Sequence, residues 1–126
     1  MTLLPHLKFQ TFLARSLVGP GTPKVSYQER TTSSSESHYE MIERLELSRS
    51  SHHELYEFCN KIRIDFLSTP YDVSSAEFLV ELGVKYFKIA SADIVDIYLH
   101  EYLAGTSIPT MIATGMATPF EISQAL

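Results

Sequence analysis

Residues 86–93 have the sequence YFKIASAD, a short apolar strand pattern with a lysine at its centre. Removing an unpaired ammonium group from water is costly, so a lysine inside such a strand usually has a partner or a ligand. Ser91 and Asp93 follow the strand directly. Polar side chains at the carboxyl end of a strand, just before a helix, are typical of a ligand site in an α/β protein. Lys88 is therefore the first candidate functional residue.

The same order of elements repeats along the chain. Ser68, Ser91 and Thr114 each end an apolar strand pattern, and they are spaced 23 residues apart. Each strand is followed by a short loop, a capped helix and, in two repeats, a glycine. Such βα units give parallel strands with right-handed crossovers. The two candidate architectures are a (βα)8 barrel and a doubly wound sheet, and the lack of a Gly-x-Gly-x-x-Gly motif disfavours a dinucleotide-binding sheet.

The pattern predicts an ordered series of strands and helices. Alternation over 6–12 predicts a strand with Lys8 and Gln10 on one face, and 13–37 is expected to be irregular. A helix is expected over 37–47. A second helix is expected to start at a capping box of Ser51 and Glu54. A third is expected to start at a box of Ser74 and Glu77 and to end at Gly83. Further strands are predicted over 64–68, 86–90 and 110–113. A helix capped by Asp93 or Asp96 is expected to run to about 104. A last helix is expected to start at Thr118, with Pro119 in its first turn and Glu121 completing a capping box.

Composition and charge exclude several classes of protein. The chain has 126 residues, 44% of them hydrophobic and 20% charged, which fits one globular unit. Its net charge of −5 argues against a nucleic-acid partner. No apolar run approaches the roughly 18 residues of a membrane span, and no secretory signal is visible. The single Cys59 excludes an internal disulfide and is expected in the core. It is compatible with a reducing cytosol, and a cytoplasmic location is expected.

The repeat brings hydroxyl groups to one edge of the predicted sheet. Parallel strands end at the same edge, so Ser68, Thr69, Ser91 and Thr114 are expected to converge beside the N-termini of the following helices, where unpaired N–H groups favour anions. With Lys88, and with Lys8 and Gln10 from the first strand, the set suits a phosphate or carboxylate. The alternative is that these hydroxyls only cap helices and that Lys8 lies in solvent on an edge strand.

Five ordered motifs stand out in the sequence: Lys8–Phe12, Tyr39-Glu40-Met41 with Leu45-Glu46-Leu47, Asp65–Asp72, Lys88–Asp93 and Thr114–Thr118. Together they resemble the sialic acid synthase family, which includes N-acetylneuraminate, legionaminate and pseudaminate synthases. The resemblance runs from about residue 7 to 126. It implies a (βα)8 barrel followed by an antifreeze-like domain, and condensation of phosphoenolpyruvate with an N-acetylhexosamine such as N-acetylmannosamine. It also implies a divalent metal, manganese or magnesium, that polarises the acceptor aldehyde.

The resemblance also implies roles for individual residues. Lys8 and Gln10 match a Lys-x-Gln strand that contacts phosphoenolpyruvate and the acceptor. Thr69, Lys88 and Ser91 match contacts to phosphate and carboxylate. Asp93 stands at an acidic position, often glutamate, that binds acceptor hydroxyls. Ala113 replaces a serine found in many members, so Thr114 and the Gly115 backbone are expected to compensate.

The chain lacks several parts of the family pattern. No counterpart is found for the family's first strand, which carries a catalytic glutamate. None is found for the later strands, which carry metal-binding histidines, a catalytic aspartate and a lysine, or for the antifreeze-like domain. Residues 1–126 are thus expected to form a partial N-terminal barrel of about four βα units, with no complete catalytic set and no metal ligands. His52 and His53 are neighbours at a helix start, which is poor chelating geometry.

Two functional interpretations remain open from the sequence. The first is a fragment of a sialic acid synthase type enzyme, inactive when isolated. The second is a non-catalytic remnant that retains anion binding or pairs with another chain as a half barrel. The family is homodimeric, and a half barrel with exposed sheet edges is expected to be poorly stable or to self-associate.

Overall fold

The computed structural model describes residues 5–19, 21–24, 26–31 and 35–126. Four strands alternate with helices along the described chain. None of these helices is long and apolar enough to cross a membrane. The strands are β1 (His6–Thr11), β2 (Asp65–Pro70), β3 (Phe87–Ile89) and β4 (Thr110–Ile112), and the helices are α1 (Ala14–Leu17), α2 (Ser26–Thr31), α3 (His38–Leu45), α4 (Arg49–Lys61), α5 (Val73–Leu82), α6 (Ile97–Gly105) and α7 (Pro119–Ala125).

The four strands form one parallel sheet in the order β1-β2-β3-β4. Gln10 pairs with Thr69, and Lys88 pairs with Met111. A single register pair, Ser68 with Phe87, joins β2 to β3. Sequential parallel strands linked by helices are the arrangement of a (βα)8 barrel, and four of them make a partial barrel. The parallel βα units predicted from the 23-residue repeat are confirmed, and so is the partial barrel that the family resemblance implies.

The core lies between one face of this sheet and helices α4, α5 and α6. Phe66, Phe87 and Ile89 supply the sheet side of the cluster, while Leu79 and Leu99 are fully buried on the helix side. The expected core position of Cys59 is confirmed, because its side chain is 0% exposed and burial raises the pKa of its thiol. The strands alternate, so the residues between these core positions point to the opposite face of the sheet.

Two of the predicted helix caps are wrong by two or three residues. Helix α4 starts after Ser48, whose side chain accepts a hydrogen bond from the Ser51 N–H, so Ser51 is not the cap. Helix α5 starts after Asp72, which accepts from the Ser75 N–H, so the box of Ser74 with Glu77 does not form. In each case a competing capping residue lies just upstream, and the earlier cap adds a turn of helix.

The other helix signals are confirmed. Thr118 and Glu121 form a capping box with Pro119 in the first turn. Asp96, rather than Asp93, caps α6 by accepting from the Leu99 N–H. Gly83 ends α5 in the left-handed conformation with φ of 86°, a region that residues with a Cβ adopt at a cost.

The spacing of Leu55, Phe58, Cys59 and Ile62 predicts one apolar face on α4, and this prediction is partly wrong. Cys59 faces the core, but Phe58 is 54% exposed and Ile62 is 42% exposed. His52, predicted only as a poor metal ligand, is instead 1% exposed on the core side of the helix. Tyr56 on the same helix donates a 2.9 Å hydrogen bond to the Gly83 carbonyl, which links α4 to the end of α5.

The segment expected to be irregular, 13–37, contains two short helices, α1 and α2. One turn of helix is too short to leave a periodic hydrophobic signal, which is why the sequence did not indicate it. Tertiary contacts hold α1 in place. The Ala14 N–H donates to Glu46 Oε2 at 2.7 Å, and Val18 and Met41 are buried beside it.

Candidate functional site

Four of the candidate side chains share the face of the sheet that points away from the core. Residues paired across parallel strands project to the same side, so Gln10 lies beside Thr69. Ser68 pairs with Phe87, which places Thr69 next to Lys88. Lys8, two residues before Gln10, belongs to the same face. We refer to this surface, defined by Lys8, Gln10, Thr69 and Lys88, as the inner face.

Lys88 is half-buried at the centre of the inner face. Burial lowers the pKa of its ammonium group, repulsion from Lys8 lowers it further, and attraction from Asp93 opposes both. The two lysines are thus close enough to repel each other. An anion placed between them would remove this repulsion, which is the electrostatic condition for a phosphate or carboxylate site.

Asp93 completes the charged group beside Lys88. Its Oδ2 atom is buried and has no hydrogen-bond partner in the described part of the chain. Burial raises the pKa of this carboxyl, the nearby Asp96 raises it further, and Lys88 lowers it. Buried polar atoms are nearly always paired, so an unpaired carboxylate oxygen in this position calls for a donor. A ligand hydroxyl would supply one.

The hydroxyl groups at the strand ends do not all converge. Thr69 is 1% exposed on the inner face, but Ser68 is 0% exposed on the opposite, core side. Successive residues of a strand project to opposite faces, so both cannot reach one site. Ser91 starts a single 3-10 turn after β3, and Thr114 lies exposed after β4. These two remain candidates by position at the carboxyl edge of the sheet.

Ser68 belongs to a buried polar chain that the sequence did not reveal. Its hydroxyl lies 2.7 Å from the Thr11 hydroxyl, which lies 2.9 Å from His52 Nε2. The Nδ1 atom of His52 lies 2.9 Å from the Ser48 carbonyl, which can only accept, so Nδ1 carries the proton. When the ring is neutral, Thr11 donates to Nε2 and accepts from Ser68. This chain joins β1, β2 and α4 directly behind the inner face.

The described residues hold no group of three or more histidine, cysteine, aspartate or glutamate side chains that could bind a metal ion. Both nitrogens of His52 are engaged in the polar chain. Asp96 lies near Asp93, but no third side chain of this kind in the described ranges joins them as a ligand set. These residues therefore do not form a metal centre by themselves.

A separate groove lies between α6, α7 and β4. Its volume is about 410 Å³, and it is lined mainly by apolar side chains such as Ile97 and Ile112. None of the inner-face residues lines it. The chemistry of the candidate site therefore lies on the inner face and its carboxyl edge, away from this groove.

The chain is a partial α/β barrel whose candidate site combines two lysines of the inner face with the carboxylate of Asp93. The particular family follows from comparison. The chain belongs to the NeuB family, whose sequence model matches residues 5–126.

The chain is similar to synthases of related acidic sugars. It is 39% identical to the N,N'-diacetyllegionaminic acid synthase of Legionella pneumophila over 120 residues, covering 95% of this chain and 34% of that protein. It is 33% identical to the pseudaminic acid synthase of Helicobacter pylori over 91 residues, covering 72% of this chain and 27% of that one. The chain spans about a third of the length of these curated relatives.

Solved structures share the fold. The N-acetylneuraminic acid (sialic acid) synthetase of Leptospira borgpetersenii, in complex with citrate, matches with a TM-score of 0.79 and 28% identity. The match covers 95% of this chain and 37% of that one. A putative spore coat polysaccharide biosynthesis protein E from Chromobacterium violaceum has a TM-score of 0.77 at 19% identity, which supports the fold alone.

Proposed function

We propose that this chain supplies part of the active site of a nonulosonic acid synthase, which condenses phosphoenolpyruvate with an N-acetylhexosamine. N-acetylmannosamine or a related sugar is the proposed acceptor. The observation that carries the proposal is the arrangement of Lys8, Lys88 and Asp93, two cations and an unpaired carboxylate oxygen. Membership of the NeuB family supports the type of reaction.

The charges suit the proposed donor substrate. Phosphoenolpyruvate carries a phosphate and a carboxylate, and Lys8 and Lys88 offer one ammonium group for each. Thr69, next to Lys88 across the sheet, offers a hydroxyl donor, and we assign the same role to Ser91 and Thr114 from the carboxyl edge. In the reaction, the enol carbon of phosphoenolpyruvate forms a bond to the acceptor aldehyde carbon, water adds at the neighbouring carbon, and phosphate leaves with cleavage of its C–O bond. The lysines stabilise negative charge through this sequence.

The acceptor sugar is assigned to Asp93 and Gln10. Asp93 Oδ2 lacks a donor, and a sugar hydroxyl supplies one. A sugar hydroxyl also suits the exposed amide of Gln10.

The expected divalent metal, manganese or magnesium, would activate the acceptor aldehyde. The described residues contain no group of three or more side chains that could hold it, and we assign its ligands to other strands of the synthase barrel. We propose residues 1–126 as part of an N-terminal barrel domain that binds its ligands without turnover when isolated. Phosphoenolpyruvate is an intracellular metabolite, so the proposed location is the cytoplasm.

A ligand-protection experiment tests the proposal. Phosphoenolpyruvate is expected to raise the melting temperature of the 126-residue chain, because a ligand that binds only the folded state stabilises it. Lys88→Ala should abolish this shift, since it removes the central cation. Lys61→Ala removes an exposed lysine from α4 and serves as the matched control, with the shift retained. Equal protection of both variants would remove Lys88 from the site, and no protection of the unmodified chain would overturn the proposal.

A further inference from the structure

Tyr71 is held firmly at the carboxyl edge of the sheet. It follows β2 directly, and its backbone N–H donates to the Thr11 carbonyl at 3.2 Å. Its ring packs edge-on against Phe12, with 5.9 Å between the ring centroids. Both the backbone and the ring of Tyr71 are therefore fixed against the end of β1, and its hydroxyl has a defined position.

The Tyr71 hydroxyl lies 2.7 Å from Nε2 of Gln10, which donates a hydrogen bond to it. Tyr71 follows the last residue of β2, and this hydrogen bond brings its hydroxyl to Gln10 of the inner face. The side-chain amide of Gln10 is planar, with a donor end and an acceptor end. Holding the nitrogen end against Tyr71 turns the oxygen end, Oε1, the other way.

This orientation decides which ligand Gln10 can recognise. A carbonyl oxygen only accepts hydrogen bonds, whereas ionised phosphate and carboxylate groups have no proton to donate. Sugar hydroxyls and an N-acetyl N–H do. The anion is already matched by Lys8 and Lys88, so the fixed amide suits the neutral part of the ligand set.

We propose that Tyr71 is a positioning residue that holds Gln10 so that Oε1 accepts a hydrogen bond from the acceptor sugar. This inference rests on the proposed function and adds a specificity device to it. Without the hydroxyl, the exposed Gln10 amide is free to rotate and to present its nitrogen end, which cannot accept. Tyr71 then governs sugar binding through Gln10 and leaves the anion site unaffected.

The test is a titration of the 126-residue chain with N-acetylmannosamine in saturating phosphoenolpyruvate, followed by NMR. Tyr71→Phe keeps the ring packing on Phe12 and removes only the hydroxyl. We expect about fivefold weaker sugar binding, the worth of one ordinary hydrogen bond, with unchanged phosphoenolpyruvate affinity. Tyr98→Phe makes the same chemical change on α6, at a side chain that is 76% exposed, and should alter neither affinity.

A double-mutant cycle separates this role from a merely structural one. In a Gln10→Ala background, Tyr71→Phe should cause no further loss of sugar binding, because the group it positions is gone. The same loss in both backgrounds, or an equal loss of phosphoenolpyruvate binding, would overturn the inference. If the unmodified chain binds phosphoenolpyruvate but no sugar, the inference fails and the anion site stands. If it binds neither, the proposed function fails with it.

Discussion

At the scale of single residues, Lys88 and Asp93 are each shifted toward their neutral forms. Burial is the leading cause for both, and each is partly rescued by the other. Neither charge is fully compensated by the folded chain. A site of this kind holds unfavourable electrostatic energy that a ligand with a phosphate, a carboxylate and hydroxyl groups would release.

Asp93→Asn is expected to raise the stability of the folded chain at neutral pH. The folded-state pKa of Asp93 lies above its ordinary value of 3.8, so ionisation of this side chain costs folding free energy. The stability from the neutral carboxyl is fully present below pH 3.8 and is lost as pH rises through the raised pKa. Melting temperatures of both chains across this range should therefore converge toward acid pH.

The control for this measurement is Asp65→Asn. Asp65 accepts a 2.7 Å hydrogen bond from Lys85, so its neutralisation removes an ion pair and should not stabilise. A gain in stability at neutral pH from Asp65→Asn equal to that from Asp93→Asn would show that net charge, rather than the burial of Asp93, is responsible.

The amino-acid sequence predicts the positions of some of these residues but not their partners. Lys88 stood out because a charge interrupts an apolar strand, and alternation then placed Lys8 and Gln10 on one face. The 23-residue spacing from Ser91 predicts that Ser68 lies in the site. Spacing along the chain does not indicate the face of the sheet to which a side chain projects. The partners of Asp93 and Gln10 depend on contacts between separate elements, which a single sequence does not specify.

At the scale of elements, the caps of α4 and α5 are a direct test of where each helix begins. Asp72→Ala removes the side chain that accepts from the Ser75 N–H and should cost about 1 kcal/mol of unfolding free energy. Ser74→Ala should have little effect, because Ser74 is exposed and does not cap. Urea denaturation of the two variants gives the comparison. If Ser74→Ala cost more stability than Asp72→Ala, Ser74 would be the cap of α5, as the sequence predicts.

The polar chain behind the inner face should also contribute to stability. Thr11→Val keeps the shape of the side chain and leaves His52 Nε2 and the Ser68 hydroxyl without a shared partner. Leaving buried polar groups unpaired costs about 1–3 kcal/mol, which should lower the urea midpoint. Thr114→Val is the control, because Thr114 is exposed. Equal midpoints for the two variants would show that the chain is not a structural link.

Helix and strand identities were largely predictable because the periodicity of 23 residues and the capping residues lie within one segment each. The exact starts of α4 and α5 were not, since two capping residues competed within three positions. Helix α1 could not be predicted because contacts with α3 and the hydrogen bond from the Ala14 N–H to Glu46 hold it, and α2 is too short to leave a periodic pattern. Local patterns identify an element; its ends and its neighbours are set by packing.

At the scale of the whole molecule, the sheet has two edges in the described chain, β1 and β4. Leu7 on β1 is 44% exposed and Met111 on β4 is 47% exposed. Phe58 and Ile62 add exposed apolar surface on α4. Unpaired parallel edges beside apolar side chains are templates for association with another chain.

The 126-residue chain is therefore expected to self-associate as its concentration rises, because two copies can pair their exposed sheet edges. Sedimentation velocity over a concentration series should show a growing oligomer fraction. Leu7→Lys combined with Met111→Lys places charges on both edges and should reduce it. Tyr98→Lys, at an exposed position on α6, is the control. A monomer at every concentration would contradict the expectation.

His52 offers an internal reporter for this molecule. Its Nδ1–H is directed to the Ser48 carbonyl and its ring is 1% exposed, so this proton is shielded from solvent exchange. Most exposed histidines lose such a signal to water within the time of an NMR measurement. A persistent imidazole resonance would mark chains in which β1 remains docked, and its broadening would reveal local opening of the first strand before the rest of the sheet unfolds.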